Sequence, residues 1–282
     1  MLSTFKAIVY GVAVDDFPSE LCPFKIVETW EYPNVPEKVR FLGMNEADIV
    51  FCLGGDGSLL GAEHLFPGVV KIPIRSEKRY FKCEKHKVIN VINRVGEILE
   101  RKVNVRPLSL PKIECYKKGV ERVRDNLAIG VNDITIRNSD QRTALRFNVY
   151  INDVRYNIDP IVGDGIVAST PFGSSGYCRS ITKALFNVGF GIAFNNTSEP
   201  IDHLVISDDC EIKVEVKRGI GEVTADNNPG SLKIEKGDVF IIKKHLDPCR
   251  VYCLDNLYCC DCKEVHTGSP AGRRHPSFRV LG

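Results

Sequence analysis

The chain carries a glycine-rich segment, FCLGGDGSLL at residues 51–60, in which Asp56 stands among three glycines. After a strand, glycines let the backbone turn sharply and let a ligand come close, because no Cβ atom intervenes. If residues 58–63 begin a helix, its free N–H groups and its dipole form an anion site suited to phosphate. Three glycines around one acid favour contact with a ligand over an ordinary strand-to-helix turn.

Asp56 is the candidate catalytic residue, and Gly55, Gly57 and Ser58 form the candidate phosphate-binding site. The sequence contains neither a lysine-bearing P-loop nor the G-x-G-x-x-G motif that follows a strand in dinucleotide-binding proteins. Phosphoryl chemistry would therefore use Asp56, backbone amides and a metal ion. Asp56 could accept a proton from an attacking hydroxyl or help to hold magnesium, because positioning dominates the loose transition state of phosphoryl transfer. The structural alternative is a carboxylate that caps the following helix.

A second candidate site is the segment DGIVASTPFGSSGYCRS at residues 164–180. A short apolar strand at residues 166–168 leads into a turn with several hydroxyl side chains and small residues. Such groups suit a ribose or an amide edge, and Tyr177 offers a flat face or a phenol. Composition alone leaves a plain polar loop as an equal alternative.

The elements around the glycine-rich segment predict a compact α/β domain. Residues 6–12 and 48–53 are short apolar runs of the kind that fill parallel strands. Between residues 87 and 102, apolar side chains recur along one face of a helix, at Val88, Val91, Ile92, Val95, Ile98 and Leu99. We therefore predict a Rossmann-like α/β domain over residues 1–105.

From about residue 110 the apolar period changes to two, which is typical of β-strands with one buried face. Residues 145–151 alternate in this way and end at a tight turn formed by Asn152-Asp153. Residues 212–216 and 232–234 alternate again, before a turn at 236–238 and a strand at 239–242. We predict a β-rich, sandwich-like domain over residues 106–250, followed by a Cys-rich tail of unknown role at 251–282.

Composition indicates a soluble globular protein of 282 residues with a formal net charge of +2. This charge is too small to suggest a nucleic-acid partner. No secretory signal or membrane-spanning run is recognisable, so we expect a cytoplasmic protein without a membrane partner. Eleven cysteines, an odd number, favour free thiols over a disulfide framework. Zinc is a minor alternative at the dense run of Cys249, Cys253, Cys259, Cys260 and Cys262.

Taken together, these segments resemble the NAD kinase family. The family signature Gly-Gly-Asp-Gly-Thr is matched by residues 54–58, and its Asn-Glu after a strand is matched by Asn132-Asp133. Its third signature, roughly Asp-Gly-x-x-x-Ser-Thr-Pro-Thr-Gly-Ser-Thr-Ala-Tyr, is matched by residues 164–177 with three substitutions. The block at residues 195–200 resembles archaeal-type members. The resemblance covers residues 48 to 245.

This resemblance implies transfer of a phosphoryl group from ATP, or from polyphosphate, to the 2′-hydroxyl of the adenosine ribose of NAD, which gives NADP. It implies a divalent metal, Mg²⁺ or Mn²⁺, and a homodimer or homotetramer. Asp56 would orient or deprotonate the hydroxyl while Gly55 and Gly57 approach phosphate. The residues implied to contact the dinucleotide are Asn132 and Asp133 at the adenosine part, Asp164 at the nicotinamide end, and Ser175, Gly176, Tyr177 and Ser180 in the nucleotide pocket.

The sequence departs from the family pattern in three places. Residues 71–82 (KIPIRSEKRYFK) replace a glycine-rich turn, and their basic side chains either contact phosphate or form a solvated loop. Residues 225–228 (ADNN) stand where Asp-Gly-Gln is frequent, and Asp133 is one methylene shorter than the family's Glu.

Two other functions fit the glycine signature. The first is a lipid or sphingoid-base kinase, which predicts an apolar entrance or a membrane-binding segment that the sequence does not clearly show. The second is a nucleotide-binding sensor without turnover. Retention of Asp56 argues against it, whereas the altered segment 71–82 supports it.

Overall fold

The computed structural model describes residues 5–11, 17, 24–31, 47–74, 88–100, 107–123 and 126–252. The chain divides into two compact units. The first contains the described residues up to Leu110 together with the segment that starts at Cys249, and the second runs from Pro111 to Pro248.

A six-stranded sheet forms the centre of the first unit. Its strands are β1 (Phe5–Gly11), β2 (Phe24–Glu31), β3 (Ile49–Leu53), β4 (Val70–Ile74), β5 (Leu108–Leu110) and β19 (Cys249–Val251). Their spatial order is β2-β1-β3-β4-β19-β5, and every pair is parallel except β19 with β5. All five residues of β3 are buried, as expected for a central parallel strand.

The helices described in this unit are α1 (Asp56–Leu65) and α2 (Val88–Leu99). Because α1 connects the parallel neighbours β3 and β4, it forms a βαβ unit with the glycine-rich segment at its first turn. The predicted apolar face of α2 is confirmed where side chains are described, since Val91, Ile92, Val95 and Ile98 pack into the core of this unit. The predicted α/β domain is therefore confirmed as a fold class.

Strand β19 brings the chain back to the first unit after the second unit is complete. Its Val251 pairs with Lys71 of β4, and the Tyr252 N–H donates to the Lys71 carbonyl at 3.0 Å. The sequence analysis assigned residues 249 and 250 to the second domain, because a three-residue strand carries too short a pattern to reveal its partner.

Lys71 forms a buried ion pair with Glu63 of α1. Lys71 has no exposed surface and Glu63 is 4% exposed. The Lys71 ammonium also donates to the Phe66 carbonyl at 2.5 Å, at the C-terminal end of α1. Burial raises the pKa of the Cys52 thiol in β3 to about 12 and that of the Cys249 thiol still further, so both thiols are neutral beside the pair. The ion pair therefore fixes α1 against β4 in a buried setting.

We predict that Lys71→Met lowers the free energy of unfolding by about 3–5 kcal/mol, because it leaves the Glu63 carboxylate buried without its partner. The double variant Lys71→Met with Glu63→Met should recover much of this loss, because it removes both charges. Urea unfolding of the three proteins measures the difference. The control is Lys244→Met, which breaks the exposed pair with Asp208 and should change stability by at most about 1 kcal/mol. Equal effects at Lys71 and Lys244 would contradict the prediction.

The second unit is a sandwich of two antiparallel sheets. One contains β6 (Ile113–Lys117), β7 (Leu127–Gly130), β9 (Leu145–Ile151), β10 (Val154–Arg155), β11 (Ile161–Gly163), β15 (Ile212–Arg218) and β18 (Val239–Lys244). The other contains β8 (Asp133–Asn138), β12 (Gly165–Ser169), β13 (Phe190–Asn195), β14 (Leu204–Ile206), β16 (Gly221–Ala225) and β17 (Leu232–Ile234). Their inner faces share one apolar core, so the predicted sandwich-like class is confirmed.

The alternating patterns in the sequence correspond to strands of this sandwich. In β9 the side chains of Leu145, Phe147 and Val149 are buried, and β15 buries its alternate residues in the same way. The predicted turn at Asn152-Asp153 is confirmed, since both residues have left-handed φ angles of 50° and 64°. Such angles are required in the two-residue turn of a tight β-hairpin.

Several sequence predictions lie outside the described residues. They are the basic part of the segment 71–82 from Arg75 onward, the tail after Tyr252, and the cysteines at 253, 259, 260 and 262. Within the described residues the five cysteines are free thiols, at positions 52, 115, 178, 210 and 249. No helix among the described residues is long and apolar enough to cross a membrane.

Candidate active site

The glycine-rich segment leaves β3 through a backbone conformation that requires glycine. Gly54 has a φ angle of 130°, and its N–H donates to the Ile74 carbonyl of β4 at 2.8 Å. Gly55 is the N-cap of α1 and is exposed. Within the part of the chain that the structure describes, a Cβ atom on Gly55 would meet nothing within 4 Å, so the packing of those residues does not demand glycine there. The open space beside Gly55 is what a ligand approaching the backbone needs.

Asp56 is the first residue of α1 and is partly exposed. The helix begins two residues earlier than predicted, and its N-cap is Gly55, so Asp56 is not the capping residue that the structural alternative required. Its carboxylate lies in the first turn, where the helix dipole favours negative charge. Gly57 beside it is exposed, whereas Ser58 is buried at 5% exposure. Of the predicted phosphate-binding residues, Gly55 and Gly57 are therefore the accessible ones.

The Asn132-Asp133 segment lies where the chain passes from one sheet of the sandwich to the other, between β7 and β8. The Asp226 carboxylate accepts three backbone N–H groups there. One oxygen accepts from Val131 at 2.7 Å, and the other accepts from Asn132 at 2.8 Å and Asp133 at 3.0 Å. In return, the Asp226 N–H donates to the Asp133 carbonyl at 3.0 Å.

The carbonyl groups of the same segment are satisfied by residues of the predicted second site. The Thr170 N–H donates to the Asn132 carbonyl at 2.9 Å, and the Ser169 hydroxyl donates to the same oxygen at 3.2 Å. The Thr170 hydroxyl donates to the Val131 carbonyl at 2.5 Å. A Cβ atom on Gly173 would lie 2.0 Å from the Asn132 carbonyl oxygen, so close packing demands glycine there. The fold thus brings two distant sequence motifs into direct contact.

Asn132 has one side-chain atom whose hydrogen bonding is incomplete. Its Oδ1 is buried and has no hydrogen-bond partner among the residues that the structure describes. An orphaned acceptor costs free energy, and in native proteins it is usually explained by an absent ligand or water. A Cβ atom on Gly176 would lie 3.2 Å from the Gly173 carbonyl oxygen and 3.9 Å from both the Asn132 amide nitrogen and the Asp133 carboxylate, so the exposed Gly176 lies beside these groups. This arrangement is suited to a ligand that donates a hydrogen bond to Asn132.

Asp133 is 9% exposed, and burial together with the neighbouring Asp226 carboxylate raises its pKa to about 7. Near neutral pH its carboxyl is therefore divided between the neutral form, which donates a hydrogen bond, and the charged form. Buried acids with strongly raised pKa values are common at functional sites. The Cys178 thiol also lies close enough to interact with it electrostatically.

We predict that Asp133→Asn changes how stability depends on pH. Folded protein holds the Asp133 proton up to about pH 7, whereas the unfolded chain releases it near about pH 4. Between these values the folded state binds more protons, so this residue makes the free energy of unfolding fall as pH rises. The variant should therefore gain stability relative to the wild type between pH 5 and pH 8, by roughly 1–3 kcal/mol.

Urea unfolding at pH 5, 6, 7 and 8 measures this difference. Asp208→Asn is the matched control, because the Asp208 side chain is 41% exposed and pairs with Lys244 at the surface. Its stability curve should run parallel to that of the wild type. Parallel curves for Asp133→Asn as well would contradict the raised pKa.

Asp164 and Tyr177 are linked through two consecutive asparagines. The Asn196 side-chain amide donates to the Asp164 carboxylate at 3.0 Å, and the Asn195 amide donates to the Tyr177 hydroxyl at 3.2 Å. The Asp164 N–H donates to the Asn195 carbonyl at 2.9 Å. Tyr177 is 40% exposed. The phenol and the carboxylate are therefore held by the same short segment after β13.

The remaining predicted residues lie around helix α3 (Tyr177–Thr182). Gly176 is its N-cap and follows a 3₁₀ turn at Gly173–Ser175. Ser180 is exposed, and its hydroxyl donates to the Tyr177 carbonyl at 2.7 Å. Ser175 is partly exposed, whereas the neighbouring Ser174 is buried and donates to the Phe186 carbonyl at 3.1 Å. The fold therefore leaves Ser175, Gly176 and Ser180 accessible and uses Ser174 for packing.

Asp226 is a site residue to which the sequence analysis gave no role. The sequence showed it only inside a departure from the family pattern, 93 positions after Asp133. Its left-handed φ of 48° marks a tight turn, which Asp and Asn adopt more readily than most residues. The Asp-Asn-Asn sequence at residues 226–228 is typical of a turn. No local pattern, however, could reveal the three N–H groups that the Asp226 carboxylate accepts.

An α/β unit with this glycine-rich segment and a β-sandwich unit form the fold of the NAD and NADH kinases. The chain is similar to a crystal structure of yeast NADH kinase complexed with NADH, with a TM-score of 0.67, 14% identity, and coverage of 99% of this chain and 91% of that chain. It is also similar to a crystal structure of an NAD kinase from Archaeoglobus fulgidus in complex with ATP. The TM-score is 0.59, the identity is 16%, and the match covers 88% of this chain and 93% of that chain.

Curated relatives give the same family, whereas no family model matches the chain. The NAD kinase of Clostridium perfringens is 27% identical over 266 residues, which cover 86% of this chain and 90% of the relative. The NAD kinase of Flavobacterium psychrophilum is 29% identical over 209 residues, which cover 70% of this chain and 67% of the relative. A bifunctional NADP phosphatase/NAD kinase of Methanocaldococcus jannaschii is 27% identical over 85% of this chain and 44% of the relative. The resemblance to the NAD kinase family is confirmed, while the archaeal type stays a prediction.

Proposed function

We propose that this protein is an NAD kinase that transfers a phosphoryl group from ATP to the 2′-hydroxyl of the adenosine ribose of NAD. The observation that carries the proposal is the position of Asp56 at the first turn of α1, directly after an open glycine segment. NAD kinases that align over most of the chain support this assignment. Polyphosphate remains the alternative phosphoryl donor.

In this proposal, the first turn of α1 binds phosphate groups of the donor. The first N–H groups of a helix have no partner within the helix, and the positive end of its dipole attracts anions. Gly55 and Gly57 are exposed, so phosphate oxygens can approach the backbone closely. Asp56 orients the ribose hydroxyl and accepts its proton as the hydroxyl oxygen bonds to the γ-phosphorus, while the bond from that phosphorus to the β,γ-bridging oxygen breaks and ADP leaves. Positioning of this kind supplies most of the catalysis in phosphoryl transfer.

A divalent metal, Mg²⁺ or Mn²⁺, belongs to the same proposal. Mg²⁺ is usually held by one or two carboxylates together with substrate phosphates. Within the described residues no group of three His, Cys, Asp or Glu side chains is arranged as a metal site. The partly exposed Asp56 carboxylate fits the shared kind of site, with the phosphates as further ligands. When bound, the metal would neutralise charge on the phosphates.

In this proposal, residues of the second unit bind the dinucleotide. The unpartnered Asn132 Oδ1 accepts a hydrogen bond from the adenosine part, and the neutral form of Asp133 donates one. Asp164 contacts the nicotinamide end. The rest of the nucleotide pocket is formed by Ser175, Gly176, Tyr177 and Ser180, of which the last three are exposed.

A coupled assay tests the activity. The purified protein is incubated with NAD, ATP and Mg²⁺, and NADP is followed with an NADP-specific dehydrogenase. We expect NADP to accumulate only when a phosphoryl donor is present. Absence of NADP with both ATP and polyphosphate would reject the proposal. Binding of NAD without turnover would identify a sensor, and phosphorylation of diacylglycerol or a sphingoid base instead would identify a lipid kinase.

We predict that Asp56→Asn lowers kcat by about 10²–10⁴-fold, because the amide cannot accept the hydroxyl proton. Its affinity for NAD, measured by calorimetry, should stay within about threefold of the wild type, since asparagine keeps the shape of the side chain. Asp208→Asn, a change at an acid of the second unit that pairs with Lys244 at the surface, should leave both quantities unchanged. If Asp56→Asn retained wild-type kcat, the role assigned to Asp56 would be wrong.

Three further expectations form part of the proposal. The protein is cytoplasmic, assembles as a homodimer or homotetramer, and has domains at residues 1–105 and 106–250 followed by a tail, except that residues 249 and 250 pair with β5 of the first unit. The usual assembly of NAD kinases supports the second expectation. Light scattering coupled to size-exclusion chromatography would measure the assembly, and a monomer at micromolar concentration would reject that part.

A further inference from the structure

The Asp226 carboxylate is placed to fix the backbone of the candidate dinucleotide site. It follows β16, which pairs with β8, and its own backbone turns back through a left-handed φ of 48°. Its two oxygens accept the N–H groups of Val131, Asn132 and Asp133 at 2.7, 2.8 and 3.0 Å. Three successive N–H groups on one carboxylate resemble the backbone concavities that bind anions in proteins.

The segment needs this support because it lies between two sheets. Val131 and Asn132 fall between β7, which belongs to one sheet, and β8, which belongs to the other, so their N–H groups have no partners in a strand ladder. Buried N–H groups without partners are costly, and a carboxylate satisfies them with charge-assisted bonds. Asp226 therefore supplies the hydrogen-bond acceptors that a neighbouring strand would otherwise provide, at the point where the chain passes from one sheet to the other.

The shape of the carboxylate suits this set of donors. Asparagine at this position would keep one oxygen, which could accept two of the three N–H groups, but it would turn an NH₂ group toward the third. Alanine would leave all three N–H groups without their acceptor. A Cβ atom on Gly130 would lie 3.1 Å from an Asp226 oxygen and 2.5 Å from the Asp133 carbonyl oxygen, so the chain also keeps the space around this contact free.

The supported segment carries the side chains proposed to read the dinucleotide. Asn132 presents the unpartnered Oδ1, and Asp133 presents a buried carboxyl next to Asp226. From the opposite side, Ser169 and Thr170 hold the carbonyl groups of Asn132 and Val131. A shift of the backbone by a few tenths of an ångström would move both Asn132 and Asp133.

We propose that Asp226 is a positioning residue that fixes the Asn132-Asp133 segment for dinucleotide binding and thereby sets the affinity for NAD rather than the rate of phosphoryl transfer. This inference rests on the proposed function. Asp226 acts through its backbone contacts to residues 131–133. Its loss therefore changes binding by loosening the acceptor site, while the chemistry at Asp56 in the first unit is left intact.

Steady-state kinetics test this proposal with the variants Asp226→Asn and Asp226→Ala. Removal of one hydrogen bond to a charged group changes an equilibrium by about tenfold or more. We therefore expect KM for NAD to rise about tenfold in Asp226→Asn and further in Asp226→Ala. At saturating NAD, kcat should stay within about threefold of the wild type, and KM for ATP should not change.

Glu222→Gln is the matched control. Glu222 is an acid on the same strand, β16, but its carboxylate pairs with the exposed guanidinium of Arg137. KM for NAD should remain at the wild-type value in this control. A merely structural role for Asp226 would lower the active fraction, so kcat would fall while KM stayed constant. That result, or an equal rise of KM in Glu222→Gln, would overturn the proposal.

Hydrogen exchange separates this inference from the proposed function, because it needs no activity. In Asp226→Ala the amides of residues 131–133 should exchange at least about tenfold faster than in the wild type, since their acceptor is removed. The amides of Thr135 and Ile136 in β8 should keep their protection. Unchanged exchange at 131–133 would reject the positioning role even if the protein makes NADP. Faster exchange in a protein that makes no NADP would reject the NAD kinase activity alone.

Discussion

Hydrogen bonding of the backbone at Val131–Asp133 is the constraint on which the candidate dinucleotide site depends. The chain leaves one sheet after Gly130 and enters the other at Asp133, so Val131 and Asn132 lie outside both ladders. Asp226 supplies the acceptors, and Ser169 with Thr170 supplies the donors. Three separate segments are thereby tied together, and buried polar groups of this kind are tolerated only when they are fully paired.

In the first unit, a buried ion pair holds a helix in place. Its helix α1 is held at its C-terminal end by the buried pair of Lys71 and Glu63, while its N-cap Gly55 is exposed and Asp56 is partly exposed. A buried ion pair is a costly way to gain stability, but removal of one partner is strongly destabilising. The pair thus couples the position of the helix to β4, the strand that also pairs with the returning β19.

The glycines at positions 55 and 173, one in each motif, have different physical explanations. At Gly173 any side chain would collide with the Asn132 carbonyl oxygen, so packing inside the second unit explains the residue. At Gly55 a Cβ atom would meet none of the described residues within 4 Å, so their packing does not account for this glycine. Gly173 is therefore needed for close packing within the second unit, whereas Gly55 leaves its backbone accessible to a ligand. This difference favours contact between phosphate and the first turn of α1.

The sequence by itself determined the fold class and the motifs, because apolar periodicity and glycine-rich turns are local properties. It predicted the helix face with Val91 and Val95, the strand containing Phe147 and the turn at Asn152-Asp153, and the structure contains all three. Only the tertiary structure decided what Asp226 contacts and where β19 pairs, since those partners are far apart in the sequence. It also decided the raised pKa of Asp133, because burial and a neighbouring charge exist only after folding.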